Sequence, residues 1–178
     1  MYSMKSRNIT FSEAINESMH MSMKRYKNTI CYGLGVDDPK RIFGTTNQLK
    51  EKFGSKRVFD VPTSENALTG IGIGSALNGL RPIMIHQRLD FFLYAMDQLI
   101  NNAAKWSYVF GGSQNLPLTI RLVIGRGWGQ GPTHSQSLQS LFLHIPGLKI
   151  VMPSNAYQAK GLLNSSILDN NPVLFLEH

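Results

Sequence analysis

The chain has 178 residues, with 18 Lys and Arg against 11 Asp and Glu, for a formal net charge of +7. At roughly 100–200 residues per domain this predicts a single domain over 1–178, with a sizeable core. With 42% hydrophobic and 16% charged residues, the composition excludes a disordered chain or an acidic tail. No stretch reaches the roughly 18 apolar residues of a membrane span. Residues 1–8 lack the apolar run of a signal peptide. A single cysteine, Cys31, excludes an internal disulfide framework and a Cys-based zinc cluster. The expectation is a cytoplasmic protein with no membrane partner. Nucleic acid is not expected either. Basic residues cluster mildly at 24–27, 40–41 and 50–57, without the charged face and interleaved aromatics of such binders. An anionic ligand or an acidic partner surface is the better use of the charge.

Thr10-Phe11-Ser12-Glu13 has capping-box spacing. Phe11, Ala14, Ile15, Met19, Met23 and Tyr26 then recur at helical spacing, predicting a helix to about Arg25 with its methionines as core filler. Residues 29–34 form an apolar run suited to a buried strand, and 35–46 a loop. A helix over 46–53 should end at Gly54, followed by a strand at 57–60. Pro62-Thr63-Ser64-Glu65 opens a small-residue helix through Leu77, and 82–85 is the next strand. Asp90 is placed to cap one long helix bearing Phe91, Phe92, Ala95, Met96, Leu99, Ile100, Ala103 and Ala104. Residues 118–124 form the longest strand, followed by a Gly-rich loop from Gly125 to Gly131. A strand at 148–152, a helix capped by Ser154 and running to Leu168, and a strand at 173–176 complete the chain. Six strands alternating with helices predict an α/β fold, a parallel sheet of about six strands covered by helices on both faces.

Few residues carry chemistry on their own. Gly70-Ile71-Gly72-Ile73-Gly74 sits inside a helix and lacks the third glycine of a dinucleotide fingerprint, so close helix packing explains it better. Gly125-Arg126-Gly127-Trp128-Gly129-Gln130-Gly131 follows a strand, where ligand loops of open sheets lie. It has no P-loop ending and is equally a flexible loop. Glu65 opens its helix, where a carboxylate complements the dipole; in a buried apolar site the same group handles protons. His134, after the Gly-rich loop, suits substrate binding or proton transfer, or is a solvated loop residue. His144 is read as a hydrogen-bonded core histidine. No metal-ligand spacing and no nucleophile elbow occur.

Several segments, in order, resemble a known family. They are Glu13-Ala14-Ile15-Asn16-Glu17, residues 52–60, Ser64-Glu65, Gly79-Leu80-Arg81-Pro82, Ala95-Met96-Asp97-Gln98, His134-Ser135-Gln136-Ser137, residues 144–149 and Asp169-Asn170-Asn171-Pro172. Together they resemble the β subunit of the thiamine-diphosphate-dependent 2-oxoacid dehydrogenases, in its pyrimidine-binding, transketolase-like domain, over nearly all of residues 10–178. The resemblance implies a cofactor lying between two chains, with its diphosphate and Mg²⁺ held by an α-type partner subunit in a dimer or heterotetramer. It puts the family's glutamate at Glu65, hydrogen-bonding the pyrimidine N1′ and promoting the imino tautomer that activates the thiazolium for attack on a 2-oxoacid. Phe91 matches the aromatic that packs near the pyrimidine, and His134 an active-site histidine contacting substrate or intermediate. A structural monovalent cation such as K⁺ would map to Leu118, Ser166, Ile167, Asp169 and Asn171.

The departures are as informative. Gly33-Leu34-Gly35-Val36 replaces the family's Gly-Glu-Asp-Val and loses a carboxylate. Ile85-His86-Gln87-Arg88-Leu89-Asp90-Phe91 replaces Glu-Ile-Gln-Phe-Met-Asp-Phe. His86 and Arg88 are either solvated at the strand's end or meet an anionic or sugar-like substrate. The family's C-terminal domain is absent, so the chain reads as an excised domain or one piece of a split enzyme, inactive without a partner. The expected reaction is decarboxylation of a 2-oxoacid with transfer of the acyl unit to a lipoyl carrier. Carboligation of a transketolase-like kind and a non-catalytic assembly subunit are the alternatives.

Overall fold

Thr10 and Glu13 close a reciprocal capping box at the start of α1 (Phe11–Arg25). The Thr10 hydroxyl accepts from the Glu13 N–H at 3.2 Å, and the Glu13 carboxylate accepts from the Thr10 N–H at 2.7 Å. Lys24 and Arg25 suit the negative end of the helix, while Ala14, Ile15, Met19 and Met23 are fully buried. The computed structural model describes residues 7–125, 127 and 129–178. The expectations for residues 1–6, and for Arg126 and Trp128 of the Gly-rich loop, fall outside the described residues.

β1 (Thr29–Gly33) is followed by a turn-rich loop and the short α2 (Leu49–Phe53). That helix starts three residues later than its sequence pattern suggests, because Gln48 adopts a left-handed backbone (φ 58°). Gly54, at φ 81°, ends it by donating to the Lys50 carbonyl. β2 (Val58–Asp60), α3 (Glu65–Leu77) and β3 (Arg81–His86) follow as expected.

The single long helix expected after Asp90 is broken. α4 (Leu89–Phe92) passes into a 3₁₀ turn (Leu93–Ala95), a π segment (Gln98–Ala103) and α5 (Trp106–Val109). The backbone tightens where the Met96 N–H bonds the Leu93 carbonyl, then widens where the Ala104 N–H bonds Leu99. Phe92, Ala95, Leu99 and Ala103 keep the one-face spacing of a regular helix, whereas Ala104, also buried, lies off that face and is brought inward after the wider π turn.

β4 (Thr119–Val123), β5 (Lys149–Val151), α6 (Ala156–Leu168) and β6 (Val173–Glu177) complete the chain. The cap of α6 is Asn155, not Ser154: its side chain accepts from the Gln158 N–H at 2.9 Å. Ser154 instead donates its hydroxyl to the Gln158 side chain. His144 is exposed rather than in the core, because Phe142 and Ile145, three apart in this turn, take the inward positions.

All six strands are parallel, in the order β2-β1-β3-β4-β6-β5. α1 and α6 cover one face over a core that includes Cys31, Ile83, Ile85 and Phe175. α3, α4 and the broken helix cover the other, over Met84, Leu118, Leu122 and Leu174. Among the described residues no helix is long and apolar enough to cross a membrane.

Candidate active site

The chain's path across the sheet reverses between β1 and β3: β1 leads outward to β2, whereas β3 leads the other way to β4. Open parallel sheets bind ligands beyond the carboxyl ends of their strands at such a switch point. Glu65 follows β2 to this edge, Arg88 and Phe91 follow β3, and His134 follows β4.

Glu65 is the first residue of α3 and is 9% exposed. Among the described residues nothing donates a hydrogen bond to its carboxylate; its backbone carbonyl accepts from the Thr69 hydroxyl at 2.8 Å. That hydroxyl also lies 3.9 Å from the Met84 sulfur. One helical turn from Thr69 to Glu65 rises about 6 Å, and two strand residues from Met84 to His86 about the same. Glu65 and His86 therefore occupy one level at the top of the sheet. Gly72, deeper in α3, fits against the sheet: an added Cβ would stand 2.5 Å from the Tyr32 hydroxyl and 3.1 Å from Leu118.

His86 is 1% exposed, and its ring lies 5.0 Å from that of Phe92. Neither ring nitrogen has a hydrogen-bond partner among the described residues, and burial lowers its pKa from 6.5 to about 4. The ring is thus a neutral support beneath α4 and does not reach solvent in this chain. Arg88 differs: half-buried, it donates twice to the Gln130 side-chain oxygen (3.2 and 2.6 Å) and once to the Gln87 carbonyl (2.7 Å). Its guanidinium lies 5.9 Å from the Phe43 ring centre.

Phe91 and His134 meet edge to face, with ring centres 5.2 Å apart and planes at 84°. His134 Nδ1 is 2.9 Å from the Thr133 hydroxyl. Asp90 is not the helix cap its position suggests, since Arg88 stands at the start of α4. Its carboxylate crosses instead to the segment after β4, accepting from the Gln136 side chain at 2.7 Å and its N–H at 3.3 Å. Sequence reasoning missed this contact, as it missed Asp60. The Asp60 carboxylate accepts from the Val36 and Asp37 N–H groups at 2.6 and 3.2 Å, ordering the loop after β1. An acidic residue at each of two strand ends was the available signal.

The positions named for a monovalent cation surround the turn between α6 and β6. Four of the five carbonyls are already engaged: Leu118 by the Val173 N–H, Ser166 by the Thr119 hydroxyl, and Ile167 and Asp169 by the Arg81 guanidinium at 3.1 and 3.0 Å. Arg81 thus brings positive charge to the C-terminal end of α6, where the helix dipole favours it.

This fold and switch-point edge are those of a ligand-binding α/β domain, and the chain belongs to the transketolase pyrimidine-binding family. The family described as "Transketolase, pyrimidine binding domain" matches residues 7–178. Within it the chain is similar to proteins described as beta subunits. It is 42% identical over 95% of its length to the acetoin:2,6-dichlorophenolindophenol oxidoreductase subunit beta of Bacillus subtilis, covering 53% of that protein. It is 41% identical to the 2-oxoisovalerate dehydrogenase subunit beta of the same organism, over 96% of this chain and 52% of that one. The B. subtilis pyruvate dehydrogenase E1 component subunit beta is 39% identical over the same shares. The chain therefore spans about half the length of the curated relatives it matches. A solved structure described as "Split gene transketolase, inactive beta4 tetramer" superposes with a TM-score of 0.73 over 95% of this chain and 50% of that one. At 17% identity that likeness speaks for the fold alone.

Proposed function

We propose that this chain is the pyrimidine-binding part of a thiamine-diphosphate enzyme that decarboxylates a 2-oxoacid and passes on the acyl unit. The observation that carries the reading is Glu65, a buried carboxylate at the switch-point edge with no hydrogen-bond donor among the described residues. A pyrimidine ring nitrogen supplies the polar partner that such a group otherwise lacks. Thiamine diphosphate, when bound, supplies the carbanion and electron sink that decarboxylation needs.

This chain's own residues do the rest. Glu65 shares a proton with the ring nitrogen, Phe91 presents an aromatic wall beside it, and His134 contacts the substrate. The diphosphate and its Mg²⁺ belong to an α-type partner subunit, so the chain is inactive alone and works in the cytoplasm within a dimer or heterotetramer. A K⁺ ion at the end of α6 would take the Asn171 oxygen and share the Leu118, Ser166, Ile167 and Asp169 oxygens with the hydrogen bonds already there.

Two of the relatives' names carry 2-oxoacids, 2-oxoisovalerate and pyruvate, and the substrate is of that class; a third carries acetoin, a hydroxyketone. Carboligation of an anionic or sugar-like substrate is the second reading, favoured by the guanidinium of Arg88 at the same edge. Glu65→Gln in the complex with the partner subunit separates catalysis from scaffolding. Turnover should fall about a hundredfold or more, the usual worth of positioned proton transfer. Unchanged turnover overturns the catalytic reading in favour of an assembly subunit.

A further inference from the structure

We propose that Asp90 is a positioning residue, holding Gln136 so that His134 stays against Phe91. The proposal rests on the reading of His134 as an active-site group. Among the described residues, the stretch from Gly129 to Ser137 makes few backbone hydrogen bonds of its own. Gly127, Gly129 and Gly131 take left-handed backbones with nothing within 4 Å of an added Cβ. The one backbone hydrogen bond made by the His134 N–H reaches the Gly131 carbonyl at 3.4 Å.

Order is imposed from the turn after β3. Arg88 holds the start of the segment through Gln130, Phe91 meets His134 in its middle, and Asp90 holds its end through Gln136. Asp90 is the buried one of the three. It is 9% exposed, and one carboxylate oxygen accepts both the backbone and the side-chain N–H of the same residue. Hydrogen bonds to an ionised acceptor are roughly twice as strong as neutral ones. Gln136 is two residues from His134, so fixing its backbone fixes the direction from which the imidazole approaches Phe91.

The test uses the chain with ¹³C-labelled histidine, alone and in complex with its partner subunit. His134→Asn identifies the His134 ring-proton resonance, and Phe91→Leu measures the shift that the Phe91 ring current contributes. In Asp90→Ala that contribution should collapse, and kcat in the complex should fall about ten- to a hundredfold with a smaller change in KM. Asp90→Asn, which keeps an accepting oxygen, should retain the shift and most of the turnover. Gln136→Ala, which loses the 2.7 Å side-chain bond and keeps the longer backbone one at 3.3 Å, should lose most of the shift and serves if Asp90→Ala fails to fold. A ring-current shift that survives Asp90→Ala or Gln136→Ala overturns the proposal. A lost shift with unchanged turnover upholds the positioning and overturns the active-site role of His134.

Discussion

Arg121 and Glu177 form a two-pronged ion pair inside the protein, between β4 and β6. Arg121 is level with Phe175 in the strand register, and its Nε and Nη2 reach two residues further to the two Glu177 oxygens. Nη2 also donates to the Thr45 hydroxyl at 2.8 Å, tying the loop before α2 to the sheet. The two side chains belong to residues 0% and 4% exposed.

A buried pair of this kind is costly to break and cheap to replace as a unit. Glu177→Ala strands a guanidinium in the core and should destabilise the chain by about 3–5 kcal/mol in urea unfolding. The double variant Arg121→Met with Glu177→Leu should recover most of that loss. If the double variant is as unstable as the single one, the cost lies in packing rather than in the unpaired charge.

His86 should make the fold sensitive to mild acid. Its pKa is about 4 when folded and 6.5 as a free side chain, so between those values the unfolded state binds more protons. Stability is therefore full above about pH 6.5 and declines as pH falls towards 4. From pH 7 to pH 5 the loss should be about 2 kcal/mol. The acidic groups held low by cationic partners, Glu17 and Asp37, lose their contribution only at lower pH. His86→Leu should remove the decline between pH 7 and 5 and raise stability at pH 5. A slope that persists in that variant assigns the titration to another group.

The scaffold was legible because local signals and burial agree there. The Thr10–Glu13 box, the stop at Gly54 and the apolar strand runs each act within a few residues. The broken helix after β3 was not legible. Its apolar residues from Phe92 to Ala103 fit a regular helix, so the pattern carries no sign of the 3₁₀ and π turns that bring Ala104 inward as well. His86 and His144 exchanged their expected settings for a similar reason: His86 stands between Ile85 and Gln87 and His144 between Leu143 and Ile145, and the local backbone decides which side chain turns in. Sequence spacing placed Glu65 and His134 at strand ends, but their joint meaning came from the family resemblance. The grip of Asp90 on Gln136 spans 46 residues, beyond any local pattern.

Two glycines of α3 should answer the same substitution with opposite signs. In a helix interior, Ala is favoured over Gly by roughly 0.5–1 kcal/mol. Gly74 has nothing within 4 Å of an added Cβ, so Gly74→Ala should stabilise by about that amount. Gly72 faces the Tyr32 hydroxyl, which is already committed to the Leu68 carbonyl at 2.9 Å, and the Leu118 side chain. A methyl group there must displace a buried hydrogen bond or shift the helix off the sheet, at about 1–3 kcal/mol. Gly72→Ala should therefore lower the urea midpoint while Gly74→Ala raises it. Equal stabilisation by both would mean that α3 sits further from β1 than the Tyr32 contact requires, and the level shared by Glu65 and His86 would have to be redrawn.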